Sequence, residues 1–159
     1  MDGIHAWLAL VGSLGSGAVG GVFFAFSNFV MGALRELPTA HGVAAMQAIN
    51  RTVLNPGFLG LFVGTAVVAA AAVVVGLMRM GAPDAPWLVA GGLLYGLGTF
   101  VVTGTRNVPR NEALAALDPA APDAKELWSR YVREWTWWNH ARTAAAIGAA
   151  VAFAVALVG

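Results

Sequence analysis

The stretch PGFLGLFVGTAVVAAAAVVVGLM, residues 56–78, carries no charged side chain and decides the class of this protein. A helix that crosses the hydrocarbon core of a bilayer needs about 20 mostly apolar residues. The stretch is therefore long and apolar enough to span a membrane. Asn55 and Pro56 are typical of a helix start, with an N-cap followed by proline at the first helical position.

Three more segments have the same character: residues 7–31, 86–105 and 139–158. The last holds one charge, Arg142, near its start. Between the first two spans, Val43, Met46, Ile49 and Val53 recur at helical spacing and predict a short amphipathic helix over residues 41–53. After the third span, residues 107–111 predict a turn. Before the fourth span, residues 125–138 predict a helix that runs straight into it. We therefore predict one all-α domain, residues 1–159, built as an integral membrane four-helix bundle.

The composition agrees with a membrane protein, because 58% of the residues are hydrophobic and only 11% are charged. A soluble domain has about 25% charged residues, so this chain has too little charge to cover a surface that faces water. The net charge of +1 and the lack of a basic stripe argue against a nucleic-acid partner. The absence of cysteine excludes disulfides, thiolate metal sites and a cysteine nucleophile.

The distribution of Lys and Arg predicts the orientation. Eight of the nine lie in or beside the first and third connections, and only Arg79 lies on the other side. Basic residues favour cytoplasmic loops. We therefore expect a multi-pass protein of the plasma (inner) membrane, with loops one and three cytoplasmic and both termini outside.

Small residues at four-residue spacing predict close helix packing. Gly12, Ser16 and Gly20 form one stripe and Ser13, Gly17 and Gly21 form its neighbour, with the pairs Gly60/Gly64 and Gly92/Gly96 in spans two and three. Small residues let helix backbones approach each other in lipid. The stripes fit either packing inside the bundle or a homo-oligomer, and membrane lipids are the expected surroundings.

Polar residues gather at the predicted cytoplasmic end. Trp135, Trp138, Asn139 and Arg142 fall at positions i, i+3, i+4 and i+7 and share one helical face. From other segments come Asn28, Asn50, Arg51, Asn55, Arg106, Asn107 and Asn111. Read one by one, these could be helix caps, topology anchors and an interfacial tryptophan belt. Their convergence from several segments favours a binding pocket near the cytoplasmic interface.

A metal site has less support. His41 and His140 fall on the same side of the membrane, but no His-x-x-x-His or Glu-x-x-His spacing accompanies them. We predict no metal ligands and no cofactor, with a transition metal at His41 and His140 as the alternative.

Four motifs carry a resemblance to a known family: FSNFVM (residues 26–31), MQAINRTVLNP (46–56), RNVPRN (106–111) and WTWWNHAR (135–142). Together, and in this order, they resemble the anthrone oxygenase family of small four-helix membrane proteins. Fungal members of that family oxidise an anthrone to an anthraquinone with molecular oxygen in polyketide pathways.

The resemblance implies a chemistry that needs a base, stabilisation of a phenolate oxygen and an aromatic slot. In this sequence His140, Arg142, Asn139 and Arg106 are the candidate catalytic residues, with His41 as an alternative base. The candidate substrate-binding residues are Phe26, Asn28, Asn50, Arg51, Asn55, Asn107, Asn111, Trp135 and Trp138. Two other functions remain open: non-enzymatic binding of a lipid or hydrophobic small molecule at that pocket, and a transporter subunit, which would need polar groups through the whole span.

Overall fold

The computed structural model describes residues 3–159, so the first two residues of the predicted domain lie outside the described residues. Within this range the chain forms helices and no strand, which confirms the predicted all-α fold. The five helices are α1 (Ile4–Glu36), α2 (Thr39–Thr52), α3 (Pro56–Met78), α4 (Ala85–Ala115) and α5 (Ala124–Ala156).

Contacts along the four long helices show that neighbours in the bundle run antiparallel. On α1 and α5, Gly12 lies against Phe153, and Asn139 of α5 reaches the carbonyl of Phe23. On α3 and α4, Gly92 lies against Ala69. The core between them combines small and aliphatic residues with the rings of Phe23, Phe62, Tyr95 and Phe153, and the buried Tyr95 hydroxyl donates to the carbonyl of Phe62 at 3.0 Å.

The helices α1, α3 and α4 are each long and apolar enough to cross a membrane. The protein is therefore a membrane protein. The helix α5 is more polar over its first half, and it is not among these three. Its apolar second half packs along α1, where Ser13 Oγ donates to the carbonyl of Ala150 at 3.0 Å. The count of four crossings stays a prediction.

Two of the long helices contain π-helical segments. In α1 the segment is Phe26–Val30, and in α4 the segments are Leu94–Val101 and Thr103–Asn107. The turn expected at residues 107–111 is wrong, because α4 continues as helix over Val108–Ala115. Proline at 109 stands in the first turn after a π segment, where its missing N–H breaks no regular helical hydrogen bond.

The predicted amphipathic helix is confirmed as α2, and it begins two residues before the predicted start. Val43 and Met46 are fully buried against α5, in a cluster with Trp128 and Trp135. The side-chain amide of Gln47 donates to the carbonyls of Leu114 at 2.8 Å and Leu117 at 2.9 Å. These bonds give a side-chain partner to two carbonyls at the end of α4, where the regular pattern of helical hydrogen bonds ends.

The opposite end of the bundle has an ion pair that the sequence analysis did not anticipate. Arg79 Nη2, just after α3, lies 3.3 Å from a carboxylate oxygen of Asp84, just before α4. The imidazole of His5 on α1 lies 4.0 Å from the other oxygen of the same carboxylate. The turn between α3 and α4 includes Gly81 at a positive φ of 104°, a conformation that favours glycine.

The small-residue stripes divide into two groups in the structure. A Cβ at Gly92 would lie 2.5 Å from the carbonyl oxygen of Ala69, and one at Gly12 would lie 2.8 Å from the ring of Phe153. By contrast, Gly60, Gly64 and Gly96 have no side chain or foreign backbone within 4 Å of a built Cβ. The first group is required for helix packing, whereas the second faces outward.

Two alanine substitutions on α4 test this division. We expect Gly92→Ala to destabilise the protein by about 1–3 kcal/mol, because the added methyl group meets the backbone of α3. The matched variant Gly96→Ala meets open space, so its stability should change by less than about 1 kcal/mol. Thermal unfolding in detergent measures both, and equal losses would contradict the assignment.

Candidate functional site

Arg142 is the most unusual side chain in the protein. It lies inside the bundle on α5 and is only 5% exposed, although it carries a charge. Its Nε donates to Oδ1 of Asn139 at 2.8 Å, and its Nη1 donates to Oγ1 of Thr103 at 3.2 Å. Within residues 3–159 it forms no ion pair, and its Nη2 donates no hydrogen bond to the protein.

Two aromatic rings face the guanidinium. The ring centroid of Phe23 lies 3.8 Å from the guanidinium carbon, and that of Trp135 lies 5.0 Å away. Cation–π contacts of this kind stabilise a desolvated cation by about 2 kcal/mol. They replace part of the lost hydration but leave the positive charge without an anion.

Asn139 holds the arginine in place. While its Oδ1 accepts from Arg142, its Nδ2 donates to the carbonyl of Phe23 at 2.6 Å and to Oγ of Ser27. Ser27 lies in the π segment of α1, and π segments are frequent at functional sites. Asn139 is fully buried, so it fixes both α1 and the guanidinium relative to α5.

A cavity of about 190 Å³ lies in front of Arg142. We call it the Arg142 cavity. Its walls are mostly apolar and aromatic, with Arg142, Asn50, Asn111 and Thr103 as the polar groups. The other lining residues are Val22, Phe23, Phe26, Met46, Ile49, Val53, Leu54, Phe58, Leu59, Phe62, Val108 and Trp135.

A hydrogen-bond network supports the polar wall of this cavity. Oδ1 of Asn111 accepts from the Tyr131 hydroxyl at 3.0 Å and from Trp135 Nε1 at 2.8 Å. Nδ2 of Asn50 donates to the Tyr131 hydroxyl oxygen at 3.4 Å. Burial raises the pKa of Tyr131, so the hydroxyl keeps its proton and remains a donor. The two donors to Oδ1 hold the Asn111 amide in place.

Comparison with known proteins gives one match. A family model described as anthrone oxygenase matches residues 57–152, which is more than half of the chain. The chain belongs to the anthrone oxygenase family. No curated protein and no solved structure matches the chain. The matched region contains Asn111, Trp135, Asn139 and Arg142, whereas Phe26 and Asn50 lie before it.

In this anthrone oxygenase family member, five residues predicted from the sequence line the Arg142 cavity: Phe26, Asn50, Asn111, Trp135 and Arg142. Asn139 stands directly behind them. Asn107 is buried beside the network and donates from Nδ2 to the carbonyl of Trp135 at 3.3 Å. The five lining residues come from four helices, α1, α2, α4 and α5.

The other predicted residues lie elsewhere. Arg106 is exposed, with its guanidinium carbon 4.7 Å from the ring centroid of Trp138. Asn55 caps α3, accepting from the backbone N–H of Phe58 at 3.0 Å. Arg51 is exposed. Asn28 and His140 line a separate groove between α1 and α5, so the structure does not bring His140 to Arg142.

Several cavity residues were not predicted. Phe23, Phe58 and Phe62 form its aromatic wall, and nothing distinguishes them in the sequence from other phenylalanines of the spans. Tyr131, which supports the cavity wall through Asn111 and does not line the cavity, had a detectable signal, because it lies one helical turn before Trp135 on the same face of α5. Thr103 was visible only as one of several polar residues near the end of the third span.

A metal ion finds little support in this arrangement. In the part of the chain that the structure describes, no three His, Asp or Glu side chains come together as a ligand group. His41 and His140 are both exposed. A transition metal at His41 and His140 stays a prediction, and the described residues offer no third ligand beside them.

The role of Asn139 is testable by substitution. We expect Asn139→Ala to destabilise the protein by about 1–3 kcal/mol, because the change leaves the buried Arg142 Nε without a partner and removes the hydrogen bonds from α5 to Phe23 and Ser27 of α1. Asn28→Ala is the control, since Asn28 is exposed, and it should stay within about 0.5 kcal/mol. Unfolding in detergent measures both, and an unchanged Asn139→Ala variant would refute the role.

Proposed function

We propose that the protein oxidises a small aromatic, polyketide-type substrate with molecular oxygen, and that the reaction takes place in the Arg142 cavity. The observation that carries this proposal is the buried guanidinium of Arg142, which faces an aromatic cavity and has no carboxylate partner among residues 3–159. A buried cation without a partner is costly in a bundle of apolar helices. An anionic ligand would remove that cost.

The proposed chemistry fits this charge. An anthrone loses a proton from the methylene between its rings and becomes a phenolate-type anion. The anion adds O₂ at that carbon and forms a peroxide, which takes up a proton. Loss of the second hydrogen with water then leaves a carbonyl group. The balance is one methylene and one O₂ giving one carbonyl and one water, and it requires no cofactor.

Arg142 would supply the stabilisation of the anion. Its Nη2 donor is unused by the protein, and its Nε and Nη1 are fixed by Asn139 and Thr103. A donor held ready in an apolar site stabilises developing negative charge without reorganisation. The same positive charge would lower the pKa of the bound substrate. Phe26 and Trp135 contact each other, with ring centroids 5.8 Å apart, and would form one aromatic wall against the substrate rings.

The source of substrate is proposed to be the bilayer. Three apolar lining residues of the cavity are also exposed: Leu54 at 65%, Leu59 at 37% and Val108 at 39%. Apolar side chains that are exposed at a cavity edge favour entry from lipid. A volume of about 190 Å³ is below the range of about 300–1,000 Å³ that is usual for drug-sized ligands, which favours a small and flat molecule.

The proton is proposed to leave to solvent or a buffer base. No His, Asp or Glu lines the Arg142 cavity in the described chain. His140, the base predicted from the sequence, is exposed in the separate groove. An arginine that makes the substrate acidic reduces the need for a strong base.

We also propose the orientation given by the basic residues, with both termini outside and loops one and three in the cytoplasm. This orientation would put the Arg142 cavity in the cytoplasmic half of the membrane. A reporter fused at the C-terminus that is active only in the periplasm would check it.

A second candidate function is binding of a hydrophobic small molecule without turnover. The observation that favours it is the lack of a base in the cavity lining. The two candidates differ in product, since only an oxygenase converts anthrone into anthraquinone and consumes O₂.

Replacement of Arg142 tests the proposal. We expect Arg142→Met to lower the rate of anthrone oxidation by about 100-fold, the usual effect of losing one donor to an oxyanion. Methionine suits the buried position, since apolar replacements of buried ions are often tolerated. The assay follows anthraquinone absorbance and O₂ uptake above a protein-free blank.

The control for this assay is Arg130→Gln. Arg130 is exposed on the same helix and pairs with Glu126 at 3.3 Å, away from the cavity. It should retain the wild-type rate. Anthrone that binds without any turnover in the wild type would favour the second candidate, and full activity of Arg142→Met would exclude Arg142 from either role.

A separate substitution, His140→Gln, tests the route of the proton. We expect less than about threefold loss of rate, because His140 lies outside the cavity lining. The rate is measured from pH 5.5 to 8.5, across the usual titration range of a histidine. A loss of about 100-fold with a changed pH profile would instead restore the role of base that the sequence predicted.

A further inference from the structure

A second polar concavity lies on the other side of α5 from the Arg142 cavity. We call it the basic groove; its volume is about 880 Å³. It runs between the end of α1, the start of α2 and the middle of α5. It is lined by Ser27, Asn28, Met31, Gly32, Arg35, Thr39, Lys125, Trp128, Ser129, Val132, Arg133, Thr136, Trp137 and His140. No residue lines both this groove and the Arg142 cavity.

The charge of the groove has one sign. Arg35, Lys125 and Arg133 line it, and no Asp or Glu does. In the described chain these three cations form no ion pair, and two carboxylates of α5 are paired with other arginines. Glu126 pairs with Arg130 at 3.3 Å, and Glu134 pairs with Arg110 at 2.9 Å. The groove therefore has three free positive charges.

Unsatisfied hydrogen-bond donors add to these charges. Trp128 lines the groove and is only 4% exposed, yet its Nε1 has no hydrogen-bond partner within the described residues. Oγ1 of Thr136 is likewise buried and without a partner there. Buried donors normally have partners, so each of these points to an acceptor that the protein itself does not provide.

The surface beyond the groove is apolar along both helices. On α1, Phe24 is exposed one turn before Asn28, on the same face. On α5, Ile147 is exposed two turns after His140, again on the same face. At the groove itself the indole of Trp137 is 68% exposed, as is typical of an aromatic residue at the membrane interface.

We propose that the basic groove binds the headgroup of an anionic phospholipid. The phosphate would lie among Arg35, Lys125 and Arg133, and the acyl chains would lie along the exposed apolar faces of α1 and α5. A basic cluster next to a membrane-spanning helix attracts anionic lipids. The polar end gives way to an apolar surface along the same two helices, which matches a lipid better than a free anion.

Native mass spectrometry of the full chain in detergent tests the proposal. Phosphatidylglycerol and phosphatidylcholine with identical acyl chains are the probes. We expect phosphatidylglycerol to bind at least fivefold more tightly. Arg133→Gln should weaken its binding by about fivefold, the usual effect of one basic residue near a membrane surface. The double variant Arg35→Gln/Arg133→Gln should remove the preference.

The matched control is Arg130→Gln, three residues away on α5. It removes the same charge from an exposed residue that does not line the groove, so binding should change by less than twofold. Arg133→Lys should retain the preference and thereby exclude a folding defect. Equal binding of the two lipids would overturn the proposal, as would equal losses in Arg133→Gln and Arg130→Gln. Binding of inorganic phosphate as tight as that of phosphatidylglycerol would also overturn it, in favour of a free-anion site.

Discussion

The structure depends on the cost of keeping one guanidinium inside an apolar helical bundle. Facing lipid, an arginine in the middle of a membrane helix costs about 2.5–3.5 kcal/mol by insertion measurements. Here Arg142 has two oxygen acceptors and two aromatic rings instead of water. These partners come from three helices: Asn139 and Trp135 from α5, Thr103 from α4 and Phe23 from α1. The buried charge therefore constrains the positions of these three helices relative to one another.

The π segments explain how two of those helices meet the charge. The segment Thr103–Asn107 contains the hydroxyl that accepts from Arg142, and the segment Phe26–Val30 contains the hydroxyl of Ser27 that accepts from Asn139. A π segment alters the angular position of the residues that follow it relative to a regular helix. Both helices can therefore turn polar groups inward at this depth while their other turns stay apolar.

Much of the fold was predictable, because hydrophobic length and spacing determine it. The spans, the amphipathic α2 and the shared face of Trp135, Asn139 and Arg142 all follow from helical periodicity. The π segments of α4 were not predictable from periodicity, so a turn was expected at residues 107–111 where the helix continues. His140 was predicted as the base because the chemistry implied by the family resemblance needs one. Two residues apart on a helix, however, His140 and Arg142 point about 160° apart, and they line different concavities.

The motif WTWWNHAR therefore serves two faces of α5 at once. Trp135 and Arg142 line the Arg142 cavity and Asn139 supports Arg142 from behind, while Thr136, Trp137 and His140 line the basic groove. The apolar half of α5 begins just after this motif. Taken as a whole, α5 is less apolar than α1, α3 and α4. The hydrophobic length of α5 alone therefore fixes its depth in the bilayer only weakly. An anionic headgroup held by Arg133 would fix that depth, and with it the level at which Arg142 meets a substrate arriving from the lipid.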